Sequence, residues 1–299
     1  MPTFAWQAWQ LELPPRWDPV KLEGDFDSGL ALITDTHGPR LGLRWKKEPR
    51  RKRFDPAALV RRAMREEVGV LAAEEAKPFA MPCDGWLQCK LYEDPEPPGR
   101  DVWVGYSGRS DRLLQIAYHA QRRDNVLSGQ ILAALGEHGG SGRVPWSVFD
   151  LSCRVPAGFR LDRHRLNAGD LSLTFSGQRR VLSVRQLAVA HLALRRMPLA
   201  RWLAGQQSRQ HRYFRRDDRT EPVEITAGSR TLAGVGGTAV RRRRFFWMRW
   251  LPPAMVTCAL HDPDRDRLVI VEGSDRGVVM EAAASVGCLG YNGTGAPPG

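Results

Sequence analysis

The chain lacks most of the features by which a sequence declares its chemistry. Its five cysteines, Cys83, Cys89, Cys153, Cys258 and Cys288, are odd in number and include no CxxC pair, which argues against a disulfide framework and against the common zinc spacings. Nowhere do about 18 apolar residues run together, and Met1-Pro2-Thr3-Phe4-Ala5-Trp6 has no basic stretch leading into an apolar one. A cytoplasmic protein with no membrane span is expected. No Walker lysine follows the glycine-rich Gly234-Val235-Gly236-Gly237, and no histidine sits at metal spacing from a second ligand. No cofactor, metal or catalytic residue is therefore assigned.

What is present suits a folded globular protein. Hydrophobic residues make up 42% and charged residues 26%, too apolar for a disordered chain. At 299 residues the chain is long enough to divide into two domains with a core each. The 45 Lys and Arg against 33 acids leave a formal charge of +12, which favours an anionic partner but also serves solubility.

Two stretches repeat one pattern. Trp9-Gln10-Leu11-Glu12-Leu13-Pro14 and Phe149-Asp150-Leu151-Ser152-Cys153-Arg154-Val155-Pro156 alternate apolar and polar residues and run into proline, as half-buried strands do, with Trp17 or Phe159 three residues beyond the proline. Leu30 and Leu32 match Leu171 and Leu173, and Leu41 and Leu43 match Leu182 and Val184, at one offset of 141. Helices are expected from Asp55-Pro56, an N-cap with proline at the first helical position, and over 186–207, kinked or divided at Pro198. The closing segments 110–116 and 265–271 match at an offset of 155, with a terminal helix after each, over 126–135 and 278–286.

This order predicts an α+β protein, a tandem duplication of one domain in which each copy is a mostly antiparallel sheet with flanking helices. At the level of element order it resembles the Mog1/PsbP type of α/β sandwich. The expected divisions are 1–138 for the first repeat, 139–145 for a short linker, 146–289 for the second repeat and 290–299 for a flexible tail.

Basic runs beside aromatics are the most suggestive local feature. Arg209, Arg212, Arg215 and Arg216 surround Tyr213 and Phe214, and Arg241, Arg242, Arg243 and Arg244 precede Phe245-Phe246-Trp247. Arginine forks bind phosphate or carboxylate, and aromatics can stack on bases, but such runs also occur as solvated loops. A third run spans Lys46 to Arg53. Cys258 aligns with Trp103 and reads as a packing residue, with His261 on the opposite face of the same strand. The leading expectation is a non-enzymatic binding or accessory protein that offers a basic surface to an anionic partner, an acidic protein surface or a nucleic acid. The alternative is an enzyme with a small-molecule site between the two repeats.

Overall fold

The computed structural model describes residues 1–50, 54–80, 85–94, 99–119, 125–138, 142–210, 214–227, 230–241 and 252–287. The chain divides into two compact units at Ser141 and Gly142. Part of the expected linker and the whole of the expected tail lie outside the described residues.

The first unit opens with a hairpin, β1 (Thr3–Trp6) and β2 (Trp9–Glu12), closed by Gln7 and Ala8, both at positive φ as a two-residue hairpin turn requires. A meander follows: β3 (Asp18–Gly24), β4 (Ser28–Asp35) and β5 (Gly38–Lys47). The chain then crosses through α1 (Pro56–Val68) and α2 (Val70–Glu75) to β6 (Lys77–Pro78), β7 (Trp86–Tyr92), β8 (Arg100–Ser107) and β9 (Arg112–His119). It ends in α3 (Asn125–Ala133) and β10 (Gly136–Glu137), which pairs with β2. The main sheet has seven antiparallel strands in the order β3-β4-β5-β9-β8-β7-β6. β8 reads as an almost continuous buried run because α1 covers one of its faces, through Val60, Ala63 and Met64.

The second unit repeats that path. Its elements are β11 (Arg143–Val148), β12 (Leu151–Pro156), β13 (Arg160–Asn167), β14 (Asp170–Gly177), β15 (Arg180–Ala188), α4 (Ala190–Leu194) and α5 (Leu199–Gln210). They continue as β16 (Phe214–Ala227), β17 (Arg230–Arg241), β18 (Ala254–Asp262), β19 (Arg267–Gly273) and α6 (Arg276–Ser285). The seven-stranded order β13-β14-β15-β19-β18-β17-β16 is that of the first unit, strand for strand. Pro198 separates α4 from α5. Trp202 and Leu203 pack with Ala259 and Leu268 on one face of the sheet, and Trp146 of the hairpin meets Phe175 of the sheet at 5.0 Å.

The expected α+β class, with helices flanking a sheet in Mog1/PsbP-like order, is corrected by this arrangement. The protein is mostly β, with nineteen strands against six helices among the described residues. Two stretches account for the error. Gln186 and Leu187, read as the start of a helix, belong to β15, where strand pairing overrides a chance helical spacing. The basic run 209–216, which also reads as a solvated loop, leads into β16, and β16 and β17 are the two longest strands among the described residues. Gly234 serves close strand approach, since a Cβ there would collide with the Ala259 carbonyl oxygen.

Strand register also corrects the single offset. Ile33 pairs with Leu41 and Phe175 with Leu182, all four buried, so β4 and β14 correspond at 142 while β5 and β15 correspond at 141. The extra residue is Arg40, bulged out of the β4–β5 hairpin and bonded to Asp35 at 2.7 Å. Aligning Leu30 with Leu171 places side chains on the wrong face, as a one-residue slip must. The 155 offset holds: Trp103 pairs with Ile116 as Cys258 pairs with Val271.

Candidate functional site

Equivalent register makes residue-by-residue comparison of the two units possible. At equivalent register, the last strand of each seven-stranded sheet begins with an arginine, Arg112 in β9 and Arg267 in β19. In each unit this arginine meets the tip of the opening hairpin.

Arg112 is completely buried. Its Nη1 donates to the carbonyl oxygens of Gln7 (2.8 Å) and Phe26 (3.1 Å), its Nε to Ser110 Oγ (3.0 Å), and its Nη2 to Glu137 Oε1 (3.0 Å). The guanidinium lies between two aromatic faces, 4.1 Å from the Trp9 ring and 4.2 Å from the Phe26 ring. Ser107 and Ser110 donate to the remaining lone pairs of Glu137. Burial pulls Arg112 below the ordinary arginine range and Glu137 pulls it back. A charge removed from water is tolerable only with this degree of pairing.

Arg267 has a different setting. Its side chain is 31% exposed; Nε donates to Asp150 Oδ2 at 2.9 Å, and Nη2 lies 2.7 Å from the same oxygen as an ion-pair contact. The aromatic cage is gone. Phe26 corresponds to Ala168, counted from either side of the β3–β4 and β13–β14 turns, and Trp9 corresponds to Leu151. The exchange of Trp45 and Gly29 for Gln186 and Leu171 is compensating, because Trp45 lies over Gly29 in the first unit. The loss of the Phe26 and Trp9 rings has no such compensation. A cavity of about 330 Å³ opens beside Arg267, lined by Phe149, Asp150, Ala168, Leu171 and the buried Gln186. A smaller recess of about 40 Å³ continues beyond Arg267, where Arg230 donates to both Asp262 oxygens and Arg265 lines the wall.

Two residues at or beside the cavity have positive φ. Phe149, which takes the place of Gln7, has φ 54, and Val189, next to the cavity-lining Ala188, has φ 55. Bulky and β-branched residues rarely adopt this region, and each costs on the order of 1–3 kcal/mol. The first unit has its own void of about 160 Å³ between the sheet and α3, but it is walled mainly by apolar side chains such as Trp103, Ile116 and Ile131.

The arginines singled out from sequence fall as follows. Arg209 is on α5, Arg215 and Arg216 are on β16, and Arg241 ends β17; Arg212, Arg242, Arg243 and Arg244 lie outside the described residues. Pairing places Phe214 opposite Arg241, Arg215 opposite Val240 and Arg216 opposite Ala239, so the ends of both runs meet on one end of an edge hairpin. The run in the first unit is neutralised where described: Lys46 pairs with Glu48, Lys47 with Asp27 and Arg50 with Asp111.

Sequence reading missed a signal that counting would have found. Residues 1–141 hold 20 Lys and Arg against 20 Asp and Glu, while residues 142–299 hold 25 against 13, and all 25 are arginine. The entire net charge belongs to the second unit. Its exposed Arg160, Arg163, Arg195, Arg196 and Arg201 have no ion pair among the described residues.

The thiols are packing residues. Cys153 and Cys258 are buried, and burial pushes them up to about 12 and about 11, so neither carries a reactive thiolate at neutral pH. Cys83 and Cys288 lie outside the described residues. Among the described residues no three His, Cys, Asp or Glu side chains converge as a metal site, and no helix is long and apolar enough to cross a membrane. No protein-family model matches the chain, and no curated protein is detectably similar to it.

Proposed function

We propose that the protein is a binding protein whose second unit presents a basic surface to an anionic partner, an acidic protein surface or a nucleic acid. The observation that carries this reading is the charge division: a neutral unit and a unit with 25 arginines against 13 acids on the same strand order. Solubility alone would be served as well by charge spread over both units, and lysine would serve it as well as arginine. Arginine is the residue that forks onto carboxylate and phosphate. The edge hairpin β16–β17, which gathers Arg215, Arg216 and Arg241 at one end, is the contact segment, extended by Arg209, Arg212 and Arg242 to Arg244.

Replacing Arg215, Arg216 and Arg241 together by Gln tests the reading in the full chain. Affinity for a single-stranded oligonucleotide and for poly-glutamate is measured across a salt series, with circular dichroism to confirm the fold. Binding of the parent should weaken steeply with salt, and the variant should lose affinity and show a slope shallower by roughly 0.7 for each lost phosphate contact. Preference between the two probes identifies the partner class. Parent and variant binding alike, with equal slopes, would remove this hairpin from the function.

A further inference from the structure

The cavity beside Arg267 lies at the opposite end of the second unit's sheet from Arg215, Arg216 and Arg241, because Gln186, Ala188 and Arg267 occupy the far ends of their strands. It is therefore separate from the basic hairpin. Its shape has an internal template in the first unit, where the same fold fills the same place with a ring. There Phe26 stacks on the Arg112 guanidinium at 4.2 Å, and in the second unit the corresponding turn residue is Ala168.

We propose that this cavity binds a neutral, planar aromatic or heteroaromatic small molecule, its ring stacked on Arg267 where Phe26 stacks on Arg112. Three features set the ligand class. The guanidinium is planar and held by a hydrogen bond and an ion-pair contact to Asp150, which leaves a face for a π-system while neutralising the charge, so no anionic group is required. Gln186, which takes the place of Trp45, is 6% exposed and supplies an amide donor and acceptor at the cavity wall, which complements a ring carrying an amide or ring nitrogen. Apart from Asn167 the remaining wall is apolar, with the buried Leu171 and the exposed Phe149 both lining it, and a cavity of about 330 Å³ accommodates a bicyclic ring. Phe149, at the hairpin-turn position of Gln7, lines the cavity and is itself 37% exposed.

The test is a calorimetric titration of the full chain with indole-3-carboxamide, and with cyclohexanecarboxamide as a non-planar control. The aromatic amide should bind with saturable heat at submillimolar concentration, and the saturated ring at least about threefold more weakly. Ala168→Phe, a substitution at an exposed turn, restores the first unit's ring and should lower the affinity roughly tenfold or more by filling the site. Arg267→Lys keeps a cation for Asp150 but removes the planar face, and should weaken binding about threefold even if Ala168→Phe misfolds. No saturable heat from the parent chain, equal binding of the saturated control, or undiminished binding by a folded Ala168→Phe protein would each overturn the proposal.

Discussion

The two units share a strand order and differ in what they do with one arginine. The first closes around Arg112 with two rings, a buried carboxylate and backbone carbonyls, and its surface cations are balanced by acids. The second leaves Arg267 at the edge of a cavity, paired with Asp150, and concentrates the chain's net charge. A fold repeated in one chain can thus close one copy around a buried charge and leave the same place open in the other. The difference needs no change of topology, only a few side chains at equivalent register.

The largest effect separating the units should come from removing that arginine. Arg112→Met leaves Glu137 buried without its cation and should destabilise the first unit by about 3–5 kcal/mol. Arg267→Met breaks a pair about one-third exposed and should cost about 1 kcal/mol or less. Denaturant unfolding of the two variants checks this, and equal losses would end the distinction between a closed and an open copy.

A smaller contrast lies in how the crossover helices begin. α1 is capped by Asp55, whose carboxylate accepts the Ala57 N–H at 2.9 Å, with Pro56 at the first helical position. Its counterpart α4 begins after Val189, left-handed and half exposed, and is held from outside by Asp266, which accepts the His191 N–H and contacts its ring nitrogen at 2.6 Å. Asp55→Ala should lower stability by about 1 kcal/mol. Val189→Gly should instead raise it, by up to about 1 kcal/mol, as relief of the strained φ outweighs the entropy glycine loses. Thermal melts with opposite signs would sustain the contrast, and a loss in both would remove it.

How much of this was legible in the sequence depends on the kind of signal. Repetition was legible, because buried strand positions such as Leu41 and Leu182 keep their alternation in phase. The Asp55-Pro56 start of α1 was legible because capping is local chemistry. The bulge at Arg40 was not, since one inserted residue in a hairpin leaves no mark on composition yet reverses the faces of everything before it. The Arg112 cage was hidden for another reason: its parts come from Trp9, Phe26 and Glu137, far apart in the chain and joined only by the sheet. The cavity was invisible twice over, because a missing ring at Ala168 is seen only once the turn has been aligned to Phe26.

The last contrast concerns acid. Arg44 and Arg185 occupy equivalent positions, but Arg44 reaches Glu67 on α1 while Arg185 is held by Asp170 on the neighbouring strand, through bonds of 2.8 and 2.9 Å. Ser28 stands in the first unit where Asp170 stands in the second. Hydrogen bonding from Arg185 holds the Asp170 carboxyl below the ordinary aspartate value, against a smaller opposing effect of burial. A carboxyl with a depressed folded-state value contributes stability in full above its unfolded value, near pH 4, and loses it as the pH falls through the folded one. The parent chain should therefore lose thermal stability between about pH 5 and pH 3 more steeply than Asp170→Asn, and the two should converge at the acid end. The effect should be modest because the pair is partly exposed. Melting midpoints recorded for both proteins across that range decide it: parallel curves would mean that Arg185 does not depend on Asp170, and the two units would then handle this position alike.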